Sequence, residues 1–494
     1  MKRKLIKYLS IGTISTMSLL SVVSCDEENF KKFLKGGKEE KSEEEKKKEE
    51  EKKLYSSNKW LIENFVFQTV ENPEKYYSVD WSLDAQQDTI SLFPPEDIKE
   101  STIDFSYNKN KFQSYIKDGI LDLSSTNIEK ININFMYSIL KLIGNEKTLL
   151  NEIKEVKFPN KLKIIAADFA KHLKNLTSIV IPDSVKYIGE NAFANNKLTS
   201  VSIGNSVEEI AKNAFKNNMI SALTISNSVK EIKSSAFENN SLTSISIPDS
   251  VKLIDSFAFK NNKLTSVSIG NSVTLISSGA FETNSINSIV IPDSVKTIGN
   301  SAFKNNKLVS VTLGSGLGKG AEYIEIREFD RFGTHNDYNY EKNNSAIQDS
   351  AFENNLLTSV IIPNSVKVIG EKAFKNNMIS SLTISNSVKE IRSNAFENNF
   401  LNTIDIPDSV KYIDTEAFQN NKITSIVFPN SLIYIKNKAF KNNELTSVSI
   451  PDSVKKIDEN AFSNNKLTTV EIHKNTVNTN NRAFDSTVKV LRRG

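Results

Sequence analysis

One pair of adjacent residues, Ala-Phe, returns along this chain with a regularity that few folds permit. Its Phe stands at 193, 215, 237, 259, 281 and 303, and again at 352, 374, 396, 418, 440, 462 and 484. Every step is 22 residues except that from Phe303 to Phe352, which is 49, or one period plus 27. A looser copy centres on Phe169, in "VKFPNKLKIIAADFAKHLKNLTSIVIP". About fourteen units at a fixed period in this range point to a solenoid, where each unit buries its apolar residues only against its neighbours.

The coil from Phe237 to Phe259 shows what each unit contributes. Leu242, Ile245 and Ile247 alternate closely and are mostly β-branched, which reads as a short strand with its apolar side inward. A turn at Pro248-Asp249-Ser250 follows, because proline has no donor for a ladder. Val251 and Ile254 then form a second extended piece, and Ala258-Phe259 is expected in a single helical turn. The expected fold is an α/β solenoid of parallel strands and short helical turns, elongated or gently curved, capped at both ends. Fourteen coils at a strand spacing of about 4.8 Å make a rod of about 65 Å. The recurring Asn-Asn after Phe, as at Asn239-Asn240, reads as a structural ladder: an amide offers both donor and acceptor and tolerates left-handed backbone.

Units such as "IPDSVKYIGENAFANNKLTSVSI" at 181–203 and the similar stretch at 292–313 resemble the BspA-like, or treponeme-type, leucine-rich repeats. The resemblance covers about 148–494. It implies a leucine-rich-repeat solenoid on a bacterial surface protein, with family members implicated in adhesion to host matrix proteins or other cells, and it does not imply an enzyme. One departure is that the family's usual unit is a residue longer and carries Cys near the place of the second Asn.

The amino terminus, "MKRKLIKYLSIGTISTMSLLSVVSC", has a basic start and an apolar stretch too short to span a bilayer, so residues 1–24 read as a removable signal. Val22-Val23-Ser24-Cys25 resembles a bacterial lipobox, which implies diacylglycerol on Cys25 and an anchor on the outer face of the cell membrane. Cys25 is the only cysteine, so no disulfide contributes and the stacked core must supply the stability. Removing the signal takes away Lys2, Arg3, Lys4 and Lys7, leaving 63 − 4 = 59 basic against 59 acidic residues. Net charge therefore gives no argument for nucleic acid. Residues 25–53 form a charged Lys/Glu tether, and 54–147 an N-terminal capping or separate region in which "GILDLSSTNIEKI" at 119–131 resembles an extra repeat strand. At the other end Thr479 stands where other coils have Ile, as a closing cap requires.

Outward strand positions in three coils are Thr199, Ser200 and Ser202; Thr243, Ser244 and Ser246; and Thr265, Ser266 and Ser268. Such a repetitive face suits a spacer or a multivalent adhesive surface. The residue after Phe alternates in sign (Lys216, Glu238, Lys260, Glu282, Lys304, Glu353), which pairs neighbouring coils and favours register over stability. The period breaks in an insertion at about 318–345, whose ends rejoin the repeat in phase through Leu317 and Ile347. It reads as a protruding hairpin carrying a candidate partner-binding set: Tyr323, Arg327, Phe329, Arg331, Phe332, Tyr338 and Tyr340. Three histidines, a single cysteine and no P-loop, HExxH or nucleophile elbow give no catalytic constellation, metal site or cofactor to expect. Finally, "MISALTISNSVKEIKSSAFENNSLTSISIPDSVK" at 219–252 nearly reappears at 378–411, an offset of 159, so the array reads as the product of block duplication. Two functions remain: a lipid-anchored protein that binds host or cell-surface proteins, and a structural coat or stalk.

Overall fold

The computed structural model describes residues 148–319, 345–478 and 482–494, the short pieces 116–125 and 130–131, and two strand residues at each of 68–69 and 103–104. The signal, Cys25, the tether, the insertion residues from Tyr323 to Tyr340, and Thr479 lie outside the described residues. The rest winds into a parallel-strand solenoid of three sides.

The second extended piece of each coil, only two residues long, makes the most continuous ladder. Eight parallel strands run from Lys130–Ile131 to Thr297–Ile298, and six from Val368–Ile369 to Val477–Asn478. Ile347 bridges the two runs, pairing with Ile298 on one side and Ile369 on the other. Leu317 and Ile347 are fully buried, so the chain leaves and rejoins the core at the expected positions. Upstream of the first regular coil, Ile120–Asp122 pairs in parallel with Glu155–Lys157, and Lys130–Ile131 with Ile164–Ile165, so both ladders begin within the 119–131 stretch.

The L-x-x-I-x-I strands pair mostly in couplets, for example Ser178–Val180 with Ser200–Ser202 and Ser244–Ser246 with Ser266–Ser268. The turns that follow explain three of these couplets. Each has a Pro-Asp coil followed by a coil with Gly in the proline column, and the Asp carboxylate accepts a backbone N–H of the second coil: Asp183 from Asn205 (2.8 Å), Asp249 from Asn271 (2.7 Å), Asp293 from Ser315 (2.6 Å). The glycine is needed for the close approach, since a Cβ on Gly204 would lie 2.2 Å from the Pro182 carbonyl oxygen.

The third side is not helical. Thr148–Glu152 is the one α-helix among the described residues, and the Ala-Phe segments are overlapping β-turns. The Ala192 and Ala194 N–H groups close turns onto the Gly189 and Asn191 carbonyls, while the intervening N–H groups of Asn191, Phe193 and Asn195 donate to the next coil. Asn191 and Asn195 have φ of 53° and 57°, and these two columns repeat left-handed backbone through the array. Left-handed residues every fourth position are incompatible with a helical turn, and the bonds to the neighbouring coil replace those a helix would make internally.

Inside, the Phe side chains from Phe193 to Phe484 form one column, with successive centroids 5.2–5.5 Å apart and planes within 3–11°. The early copy departs from the expected frame by one residue. Ala170 N–H donates to the Ala192 carbonyl, the bond that Phe193 makes to Ala214, so Ala170 occupies the Phe column and Phe169 the Ala column. Phe169 accordingly meets Phe193 edge-on, at 71°, with Phe158 packed against both. The last coil shifts as well: Asn478, not Thr479, pairs with Ile457 in the Ile column, and Thr476 takes the Val column with its hydroxyl donating to the Val454 carbonyl.

The asparagine pair makes two different ladders. The first member stands on left-handed backbone and links coils through its amide, as Asn217 Nδ2 to Asn195 Oδ1 at 2.7 Å. The second is buried: Asn218 Nδ2 donates to the Phe193 and Phe215 carbonyls, and its Oδ1 accepts the Leu198 N–H. This explains why Thr283 is tolerated at the first position, while Asn284 keeps the second and makes the same set of bonds.

Candidate interaction surface

Because the inward positions are committed to stacking, any recognition must use the outward columns. The charge column after Phe forms the expected inter-coil pairs: Lys216–Glu238, Lys260–Glu282 and Lys304–Glu353 at 2.8 Å, and Lys375–Glu397 at 2.6 Å. A local network surrounds the last of these, where Asn394 Nδ2 donates to both Glu397 and Glu416. Burial works to raise the Glu416 carboxyl, but hydrogen bonds from Lys438 and Asn394 outweigh it and hold the group below its ordinary value. In the lysine column at 186 and 230, both residues reach Glu208, whose carboxyl is lowered by its hydrogen bond from Lys230 and then by the charges of Lys230 and Lys186. Lys186 and Lys230 are thereby partly neutralised by one carboxylate.

The strand face is less uniform than its first coils suggest. The column that carries Ser202, Ser246 and Ser268 also carries Val180, Val290, Ile361 and Val427, all exposed. The corner position after the asparagine pair holds Leu356, Met378 and Phe400 in three successive coils, again exposed. Reading three serine-rich coils missed this; following each outward column through the whole array finds it. An open recess of about 640 Å³ lies beside the insertion root, lined by Thr312, Leu313, Ser315, Lys319, Ile361 and Pro363. No group of three or more His, Cys, Asp or Glu residues placed to hold a metal occurs among the described residues.

The model for the BspA type leucine rich repeat region matches the chain in six overlapping stretches, 141–264, 208–324, 252–381, 317–423, 345–469 and 411–491. The chain belongs to the BspA-type leucine-rich repeat family. No curated protein matches it. Among solved structures, a leucine-rich repeat protein from Bacteroides ovatus is similar at 20% identity, covering 68% of this chain and 89% of that one with a TM-score of 0.43. A leucine-rich cell surface protein from Faecalibacterium prausnitzii is similar at 21% identity, over 68% of this chain and 84% of that one, with a TM-score of 0.34. The pneumococcal vaccine antigen PcpA is similar at 18% identity, over 64% and 89%, with a TM-score of 0.36. BspA-type repeats account for the solenoid and for its suitability as a protein-contact surface.

Proposed function

We propose that this BspA-type chain is a bacterial surface protein, held to the outer face of the cell membrane by lipid on Cys25, that binds proteins of a host or neighbouring cell through its solenoid. The carrying observation is the division of labour within the repeat. Inward columns stay apolar from coil to coil, whereas outward columns range from Ser to Lys, Phe, Ile and Asp. A scaffold that holds its core constant while varying a long face is built to display that face. The insertion residues Tyr323, Arg327, Phe329, Arg331, Phe332, Tyr338 and Tyr340 are a second contact site in this reading, aromatic and Arg side chains being common anchors. The serine-rich first half favours a further role as spacer, and a coat or stalk without a dedicated ligand is the alternative. Binding of the purified chain from residue 26 to immobilised matrix proteins, compared with versions lacking 320–344 or 54–147, separates the two. Loss on deletion locates the contact; no binding by the intact chain supports the coat. For the anchor, Cys25→Ser is expected to abolish labelling by radioactive fatty acid and release the protein from the membrane fraction.

A further inference from the structure

The internal duplication provides its own comparison, because positions 159 residues apart sit in equivalent coils. Inward residues agree in kind between the copies: Leu198 with Leu357, Val201 with Val360, Leu242 with Leu401, Ile245 with Ile404, each buried. Outward residues differ in both directions, Phe257 and Val290 of the first copy facing Glu416 and Ser449 of the second, but the changes toward apolar in the second copy gather near one stretch of coils. Lys197, Ser202, Ser241 and Ser268 of the first copy correspond to Leu356, Ile361, Phe400 and Val427 of the second, while Met219 and Met378 are the same. The side chains gained are not absorbed by the core, since Phe400 is 42%, Ile361 70% and Val427 78% exposed. Folding needs none of them, as the first copy builds the same coils without them. Exposed apolar clusters rimmed by polar residues are a mark of contact surfaces.

The cluster has defined ends. Leu356, Met378 and Phe400 follow one another on successive rungs, a ridge of about 10 Å at strand spacing. The same column continues into Lys307 on one side and Lys422 on the other, and Lys422 Nζ lies 4.9 Å from the Phe400 ring centroid. Glu444 follows Lys422 on the next rung and feels its charge, but makes its close pair with Lys466 at 2.8 Å, and neither Lys307 nor Lys422 has an ion pair of its own among the described residues. A second copy of this chain is a poor occupant: in a twofold contact centred on Met378, Lys307 would face Lys422. Leu, Met, Phe, Ile and Val side chains likewise offer a glycan no hydrogen bond.

Resting on the protein-binding reading above, we infer that the ridge of the second copy built on Leu356, Met378 and Phe400, flanked on the strand column by Ile361 and Val427 with Thr383 and Asp405 between them, docks a polypeptide segment with an apolar strip and a carboxylate beyond each end. An amphipathic helix laid along the rod fits this length, because residues at i, i+3 or i+4, and i+7 span about 10.5 Å, close to two rungs.

The test uses the full chain and a synthetic helical peptide with three leucines on one face and glutamates one turn beyond each end, followed by fluorescence anisotropy. Binding is expected, weakened about tenfold or more by combining Leu356→Lys, Ile361→Ser, Phe400→Ser and Val427→Ser, and weakened likewise when the peptide glutamates are replaced by lysine. These substitutions install the residues of the sister copy, so folding is preserved. The reciprocal graft, Lys197→Leu, Ser202→Ile, Ser241→Phe and Ser268→Val with Asn175→Lys, is expected to create a second peptide site. Failure to bind the peptide, equal binding by the substituted chain, or no second site in the graft overturns the proposal. Binding to vesicles of anionic lipid in place of the peptide, or loss of self-association in the substituted chain, overturns it in favour of a membrane or a second copy. If matrix-protein binding survives the substitutions, this surface is refuted while the general protein-binding reading stands.

Discussion

Removing the side chain of Asn377 isolates what the buried asparagine does. Its Nδ2 donates to the Phe352 and Phe374 carbonyls at 3.0 and 3.1 Å, and its Oδ1 accepts the Leu357 N–H at 3.1 Å. In Asn377→Ala the two carbonyls keep one partner each, from Asn355 and Asn399. Leu357 N–H is left with no acceptor among the described residues, in a site where Leu357 is fully buried. One orphaned buried donor costs about 1–3 kcal/mol, and the two weakened carbonyl interactions bring the total to about 2–4 kcal/mol. Each 1.4 kcal/mol is tenfold, so the Leu357 amide should exchange its hydrogen about 30- to 1,000-fold faster wherever opening of this coil controls exchange. The neighbouring Asn376 is the control. It joins only the outer ladder, bonded to Asn354 and Asn398 on left-handed backbone with φ 56°. Asn376→Gly keeps that backbone accessible and leaves water-reachable amides, for a cost of about 1 kcal/mol. Hydrogen exchange with urea denaturation of both variants checks the difference. Equal effects from the two substitutions, or less than about 1 kcal/mol from Asn377→Ala, would show that the buried ladder is not what closes the turns.

Phe303→Ala removes a fully buried ring stacked on Phe281 and Phe352 at 5.3 and 5.4 Å and should cost about 3–5 kcal/mol in denaturant unfolding. Gly204→Ala, whose Cβ would stand 2.2 Å from the Pro182 oxygen, should cost about 1–3 kcal/mol by forcing that couplet apart. Asp183→Ala, which loses only an exposed hydrogen bond to Asn205, should cost no more than about 1 kcal/mol in the same assay. Burial raises the Asp349 carboxyl, partly opposed by its hydrogen bond from the Glu371 N–H. Its contribution is thus fully favourable below the ordinary carboxylate range and is lost as pH rises through the raised value. Asp349→Asn, which keeps the acceptor oxygen, should therefore be the more stable form at about pH 7 and indistinguishable at about pH 3 in thermal melts.

The period, the inward columns and the coil count are legible in the chain because a stacked repeat makes every unit solve the same burial problem. The Ala-Phe turn misleads because its composition suits a helix, and only bonds to the neighbouring coil, as from Phe193 N–H to Ala214, hold it instead as a third side of overlapping β-turns. Phe169 and Thr479 mislead for a related reason. Near the array ends the affected side of a coil has a partner in one direction only among the described residues, Ala170 bonding onward to Ala192 and Asn478 ending its ladder at Ile457, so the register there can shift by one residue. The Pro-Asp turn was legible, but its bond to the glycine coil that follows depends on a close approach that no single unit contains. On the surface the limit was sampling: Leu356, Met378 and Phe400 stand out only against the first copy of the same block.

The buried amides make assembly directional. Asn218 completes bonds for Phe193 and Leu198, which precede it by about one coil, and Asn240 does the same for Phe215 and Ile220. A coil that has just formed therefore waits, with an unsatisfied carbonyl and amide, for the stretch of chain that emerges next. Synthesis from the amino terminus delivers rungs in the order in which each can seal its predecessor, and a chain broken off at any unit would fray backward by one.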